Sequence, residues 1–456
     1  MYDVVVIGGG PGGYAAAIRT SQLGGTVALV EAGEIGGTCV NRGCIPTKIW
    51  QRSAYLLQNI RMGHVFGLKV AVEELDFKAI VERKNGVAGD IRMGMEGLLA
   101  NNGVEVVRGQ GILKNDRAID VDGTVLQAKK IIVATGSCLD IPDIPGLEEG
   151  AMTTDQFMDL EQIPARVLVW GSLPMAVEIA NTLSVFGSKV YLATEQSRIL
   201  PQEDHDTSQR IAQALREQGV ELLLKYTLES ARKFKKGYKA VLVGRDEKVV
   251  EVEKVLISQR KPNTAQIGLD RLGVKLNQDG SIAVNDKLET SVPGIYAIGD
   301  AIGGWMLSHA ASSMAVTAAE NAMGQVALFP FHRIPRGIWT IPQVGAVGLS
   351  EEEAEKKGIE VEVGDFPFAI NGLAMAYDEM VGAVKIVSEP RYGEILGVHI
   401  VGANATELVG EAVLAMQLEC TVKELANSIR VHPTFSESVV DAGRDALNWA
   451  LYLPRS

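Results

Sequence analysis

The sequence predicts an α/β fold, with two dinucleotide-binding units followed by an α+β domain. Three observations carry that prediction. Residues 2–7 are an apolar run entering G-G-G-P-G-G, with a helical stretch at 14–23 and a second strand at 26–30 that ends on Glu31. The same order returns at 166–170, which enters G-S-L-P-M-A, followed by a helical stretch at 177–186 and a strand at 189–193. A strand, a glycine turn and a helix in that order open a Rossmann-like βαβ unit, so two of them imply two nucleotide-binding domains. Past about Pro335 the pattern changes. Strands at 344–347, 360–365, 382–387 and 395–401 precede helices at 405–416 and 422–429, as in a separate α+β domain.

The intervening elements follow in order. Residues 75–102 carry charged and apolar side chains at helical spacing. Residues 104–119 read as short strands with turns at Gly109, Gly111 and Asn115. Residues 130–133 form an apolar strand running into A-T-G-S at 134–137. Residues 295–298, followed by Gly299 and Asp300, repeat that form, and a helical stretch at 307–323 comes next. The expected division is a first nucleotide-binding domain at 1–148, a second at 149–280, a return to the first at 281–334, and the C-terminal domain at 335–456.

Bulk properties narrow the partners. A formal charge of −12 argues against nucleic acid as a main partner. No apolar run reaches transmembrane length, so no membrane association is expected. The first strand begins at residue 2, leaving no room for a leader, and a cytoplasmic location is the expectation. The four cysteines, Cys39, Cys44, Cys138 and Cys420, are too few to staple a chain of this length. Cys39 and Cys44 therefore read as a redox pair, and Cys138 and Cys420 as core packing.

The chemistry concentrates near the first glycine loop. Gly8, Gly10 and Gly13 occupy the G-x-G-x-x-G positions between strand and helix, where bare amides can hold a diphosphate. Glu31, eighteen residues past Gly13, closes the second strand, where a carboxylate accepts ribose hydroxyls. The plainer alternative is a glycine-rich turn without a ligand. Cys39 and Cys44 lie five residues apart in G-G-T-C-V-N-R-G-C-I-P-T-K, and a disulfide needs Cα atoms within about 7 Å. A regular helix does not provide that, so the segment must bend, and Gly43 makes the bend easy. Pro46 suits the first turn of a helix starting near Cys44, which would place that thiol at a helix N-terminus with Lys48 one turn on. The alternative is unpaired or metal-bound cysteines, but zinc takes four ligands and no further cluster supplies them, so no metal is expected. His432 in H-P-T-F-S-E precedes Glu437 by five residues. A carboxylate on an imidazole fixes its tautomer and raises its basicity, which suits proton transfer to a thiol.

Together these segments resemble the flavoprotein disulfide reductases, and within them the dihydrolipoamide dehydrogenases. The resemblance spans the chain: the glycine loop, the dithiol segment, A-T-G-S at 134–137, I-Y-A-I-G-D at 295–300, T-I-P-Q-V at 340–344, G-E-I-L-G-V-H-I-V-G at 393–402 and V-H-P-T-F-S-E at 431–437. It implies a tightly bound FAD, with Gly8, Gly10, Gly13 and Glu31 on its adenosine and diphosphate. Lys48, Gly111, Thr135, Gly136 and Asp300 would line the flavin, with Met306, Leu307 and His309 completing that wall. Cys44 is then the charge-transfer thiol and Cys39 the interchange thiol that exchanges with the substrate disulfide. Glu178 matches the acid that pairs with Lys48. The resemblance also implies that the C-terminal domain is a dimerisation domain, that the His432–Glu437 dyad serves the partner subunit of a homodimer, and that a lipoyl-bearing protein or small disulfide is the substrate.

The second glycine loop departs from this pattern. Gly171 keeps the first position, but Leu173 holds the second, where a missing side chain lets the diphosphate approach. Thr194 aligns with the expected ribose-binding acid and Glu195 lies one residue beyond, while Gln259 stands where a glycine usually faces the nicotinamide. NAD(H), held by Gly171 and Glu195, remains the expected electron partner. The alternative is a protein-borne carrier that replaces free NAD(H).

Overall fold

The computed structural model describes residues 1–147 and 151–454, so the expected boundary at 148/149 lies outside the described residues. Tyr2–Ile7 is the centre of a parallel sheet, paired with Val27–Glu31 on one side and Thr124–Val133 on the other. Glu105–Arg108 extends one edge, and Ile295–Ala297 returns from far along the chain to pair with Thr124–Val133. Both faces of the sheet are covered, which is why its strands are continuous apolar runs rather than alternating ones. Val4 and Val6 pack under the helices Pro11–Gln22 and Ser308–Ala322. Val5 and Ile7 pack against the antiparallel strands Gly111–Asn115 and Ala118–Val121.

A second parallel sheet runs Glu221–Leu224, Lys189–Thr194, Arg166–Trp170, Lys254–Ile257, Met152–Thr153. Against it packs an antiparallel unit, Thr227–Phe234, Gly237–Val243 and Glu247–Val252, which the sequence reading did not assign. Its apolar alternation is interrupted by Lys233, Lys235 and Lys236 and by an irregularity at Leu228/Ser230.

The C-terminal sheet is antiparallel throughout: Arg336–Ile338, Gln343–Gly348, Ile395–Gly402, Ala383–Ser388, Glu362–Pro367. The helices Ala405–Gln417 and Glu437–Ala446 share its core. Among the described residues no helix is long and apolar enough to cross a membrane.

Two devices join these parts. The helix Cys44–Arg61 is pinned by Trp50, whose ring meets Phe77 and Phe157 edge-on at 5.1 Å each, while Phe77 meets Phe186 at 6.2 Å. Such pairs add about 0.5–1.5 kcal/mol each beyond the area they bury. Lys385 of the C-terminal sheet pairs with Asp204 and Asp206, at the start of the helix His205–Glu217, and with Glu351.

Candidate active site

The dithiol segment is bent at three glycines, not at Gly43 alone. Gly36 and Gly37 sit at φ +93° and +56°, so the chain turns into the short helix Gly37–Asn41, which carries Cys39. A Cβ on Gly37 would come within 2.9 Å of Gly10 Cα. Glycine is therefore needed for the dithiol segment to lie against the first glycine loop. After Gly43 the helix Cys44–Arg61 begins on the second thiol, as expected. The Thr47 hydroxyl donates to Gly43 O at 2.9 Å and ties down that first turn.

The two thiols are unequal. Cys44 Sγ accepts a hydrogen bond from Cys39 and lies 3.2 Å from Ser308 Oγ. The Cys39 bond, with help from Ser308 and the Lys48 charge, brings the Cys44 thiol down to about 6 against the opposing effect of burial. Cys39 is pushed far up by the same hydrogen bond and by burial. One sulfur is thus a thiolate at neutral pH and the other a thiol. Cys420 packs beside the C-terminal core, while Cys138 is half-buried on the strand Ser137–Leu139.

Lys48 lies one turn beyond Cys44. Its Nζ reaches Glu178 at 2.9 and 3.2 Å and sits 4.1 Å from the centroid of the Trp339 ring. Glu178 is 3% exposed and accepts two further bonds, from Gln51 Nε2 at 3.0 Å and Trp339 N–H at 2.8 Å. Each oxygen is thereby satisfied, as a buried carboxylate requires. Sequence reasoning found Lys48 and Glu178 but not Trp339 or Gln51. Trp339 directly precedes the quoted T-I-P-Q-V segment, and only the fold brings it to Glu178.

A cleft of about 340 Å³ runs from the first glycine loop to the thiols. Gly8, Gly10, Glu31, Thr135, Gly136, Asp300 and Met306 line it together with both cysteines. Glu31 accepts amide bonds from Gly9 and Gly33, which aim it at the loop. Gly13 is not a lining residue. A Cβ there would fall 1.6 Å from Gly8 O, so its work is to let helix and loop pack closely. Asp300 donates nothing and accepts the Ser137 hydroxyl at 2.7 Å; burial raises its carboxyl against the pull of Ser137 and Arg260.

Three expected wall residues are placed elsewhere. Gly111 is buried against Ile7, Val30 and Ile119. Leu307 precedes the helix Ser308–Ala322 and packs beside its core, and His309 bonds Pro335 O at 2.6 Å. Ser308 faces the thiols instead. Arg260, absent from the sequence reading, also lines the cleft. It donates to Ser137 Oγ at 3.0 Å, to Asp155 at 3.1 Å and to Thr38 Oγ1 at 3.3 Å. Its strand Arg260–Pro262 pairs with Ser137–Leu139, a contact with no local sequence signal.

In the second loop Gly171 adopts φ +147°, where a Cβ would lie 2.4 Å from Ser258 Oγ. Leu173 caps the helix Pro174–Phe186, Thr194 is buried and Glu195 is exposed. Gln259 engages through its backbone carbonyl, which accepts Asp140 N–H at 2.9 Å. His432 donates from Nδ1 to Glu437 at 2.9 Å, and Glu437 also accepts Thr434 N–H at 2.8 Å. That imidazole is largely exposed and meets neither thiol of its own chain.

Comparison with known proteins agrees with this geometry. The family model described as pyridine nucleotide-disulphide oxidoreductase matches residues 2–315, and that family's dimerisation domain matches 334–443. Dihydrolipoyl dehydrogenase of Thermus scotoductus is 38% identical, covering 99% of both chains. The mitochondrial dihydrolipoyl dehydrogenase of Pisum sativum is 36% identical over 96% of this chain and 90% of its own. Among solved structures, LpdA from Mycobacterium tuberculosis superposes with a TM-score of 0.88 at 27% identity, covering 97% of this chain and 98% of that one. The flavoprotein disulfide reductase RclA from Escherichia coli gives 0.85 at 27% identity, covering 96% and 98%. With the dithiol, the glycine-loop cleft and both family models in order along one chain, this protein belongs to the pyridine nucleotide-disulphide oxidoreductases, as a class I flavoprotein disulfide reductase.

Proposed function

We propose that the protein is a homodimeric, FAD-dependent dithiol oxidoreductase acting on a dihydrolipoyl-type substrate, with NAD+ as final acceptor. The supporting observation is the pair of thiols at the end of a dinucleotide cleft, with Cys44 opening a helix and Ser308 at 3.2 Å from its sulfur.

The cleft residues fit FAD. The Thr135 hydroxyl is buried there without a partner among the described residues, a donor and acceptor waiting for a ligand. Gly8, Gly10 and the amides that open the helix Pro11–Gln22 would hold the diphosphate, Glu31 the ribose, and Asp300 with Thr135 the flavin half. When bound, FAD supplies the two-electron sink that reoxidises the dithiol.

The residues of the chain account for the thiol steps. With Cys39 and Cys44 joined, a substrate thiolate attacks Cys39 sulfur, the S–S bond breaks and Cys44 departs as thiolate. Its low pKa makes it the better leaving group, and Ser308 and Lys48 hold the charge. The partner subunit's His432 then removes the proton of the second substrate thiol. That sulfur attacks the mixed disulfide, closes the substrate ring and releases Cys39, which takes up the proton that left the first substrate thiol. Two electrons now rest on the cysteine pair and one proton on the imidazolium.

Anaerobic addition of dihydrolipoamide to the FAD-loaded enzyme should bleach the flavin absorbance stoichiometrically; an unchanged spectrum sinks the reading. Shared sites make a second prediction. A Cys39→Ser dimer and a His432→Gln dimer should each be nearly inactive. Subunits exchanged at equal ratio should recover about a quarter of wild-type activity, because half the dimers then carry one intact site. No recovery after verified exchange would refute a site shared across the dimer interface.

A further inference from the structure

The two glycine loops share one backbone plan, which makes the first a template for the second. Ile7 stands opposite Val30, and Trp170 stands opposite Ala193. Gly8 N–H donates to Val30 O at 2.8 Å, and Gly171 N–H to Ala193 O at 3.0 Å. The first helix is capped by Gly10 at φ −72°, ψ −173°, the second by Leu173 at φ −83°, ψ 168°, and a proline follows each. Position for position, Leu173 stands where Gly10 stands and Thr194 where Glu31 stands.

The template shows where those side chains point. A Cβ on Gly10 would meet nothing of the protein nearer than Gly37 Cα at 4.0 Å, and Gly10 lines the cleft. That direction is ligand space, not core. The matching backbone angles send the Leu173 side chain the same way, and it is 42% exposed. Its isobutyl group therefore occupies the approach a diphosphate makes to a helix N-terminus, and offers a dianion an apolar surface. At the strand end the contrast repeats. Glu31 presents a carboxylate to the loop, whereas Thr194 is 4% exposed and its hydroxyl accepts Gln196 N–H at 3.2 Å. Glu195 lies one residue past the end of the strand Lys189–Thr194, in an exposed bend rather than at the strand-end position that Glu31 holds.

We infer that Leu173 and Thr194 make the second loop a weak site that discriminates against diphosphate-bearing dinucleotides, so that NAD(H) binding, not thiol chemistry, limits electron transfer in this protein. This inference rests on the dithiol oxidoreductase reading above. Titrating NAD+ and ADP-ribose calorimetrically into the oxidised holoenzyme tests it. Leu173→Gly and Thr194→Glu should each tighten both ligands by about tenfold, since relieving one poorly accommodated group is worth that order. Nicotinamide mononucleotide, which lacks the diphosphate, should gain nothing from Leu173→Gly. Glycine is a good helix cap, so the fold should survive the substitution, and Leu173→Ala should fall between. The inference is overturned if Leu173→Gly binds NAD+ and ADP-ribose no tighter than wild type, or if mononucleotide gains equally. Failure of dihydrolipoamide to bleach the wild-type flavin would instead overturn the functional reading, and the calorimetry does not depend on it.

Discussion

Cys44→Ser should lower dihydrolipoamide turnover by at least about a thousandfold, the equivalent of about 4 kcal/mol of barrier, and Cys39→Ser should do the same. The two variants nevertheless differ in a measurable way. In Cys39→Ser the new hydroxyl can still donate to Cys44, and Ser308 and Lys48 are untouched, so a thiolate should titrate with a midpoint near the wild-type value of about 6. In Cys44→Ser the remaining Cys39 loses the neighbour whose hydrogen bond and charge hold it protonated. Its midpoint should fall from far above the ordinary range but stay above about 8.5, because burial still raises it. Thiolate absorbance near 240 nm, followed against pH in the reduced protein, reads both. The wild type should show a single thiolate forming as pH rises through about 6. Two thiolates forming together near the ordinary cysteine pKa would refute the asymmetry, and with it the division of labour between attacked and departing sulfur.

What was legible in the sequence was local. Both strand–turn–helix units follow from apolar periodicity interrupted by glycine. The helix starting on Cys44 follows from Gly43 and Pro46, whereas the ion pair of Lys48 with Glu178 is what the family resemblance implies. What was not legible arrives by tertiary pairing. Arg260 reaches the cleft because its strand pairs with Ser137–Leu139, and Trp339 reaches Glu178 from the C-terminal sheet. The flavin wall shows how narrow the margin is. The sequence predicts a helical stretch at 307–323, and the helix begins on Ser308. One residue along a helix turns a side chain by about 100°, so Ser308 faces the thiol while Leu307 and His309 face elsewhere. The unassigned helix Glu437–Ala446 carries Gly443 in its interior, a poor helix former whose position the close approach of Ala426 explains.

Lys385→Met should destabilise the docking of the C-terminal sheet by about 3–5 kcal/mol at neutral pH. Lys385 is 6% exposed and its ammonium lies 3.2 Å from Asp204, 2.9 Å from Asp206 and 2.6 Å from Glu351. Asp204 is 1% exposed. Burial would raise its carboxyl, but neighbouring cations outweigh that and hold it below the usual range. His399 is not the decisive one. Burial and the Arg336 charge lower its pKa, and its Nε2–H donates to Leu349 O at 2.9 Å, so it is neutral at pH 7. Lys385 is thus the cation that counts, and methionine keeps its stem while removing the charge. The pH dependence separates charge from packing. The depressed Asp204 adds stability that is present above about pH 3.9 and lost as pH falls through its folded value. The raised Lys385 adds stability that is present below about pH 10.4 and lost only above it. The lowered His399 favours the fold fully above about pH 6.5 and less as pH falls below. The Lys385→Met penalty, measured by urea unfolding with tryptophan fluorescence, should therefore be full between pH 7 and 9 and shrink towards pH 4 as the acids become protonated. A penalty independent of pH would mean that the stem's packing, not the buried charge, holds the two sheets together. Because Arg336 also pairs with the buried Glu203 at 3.0 Å, and its strand leads directly into Trp339, loosening this cluster should slacken the grip on Glu178 and Lys48.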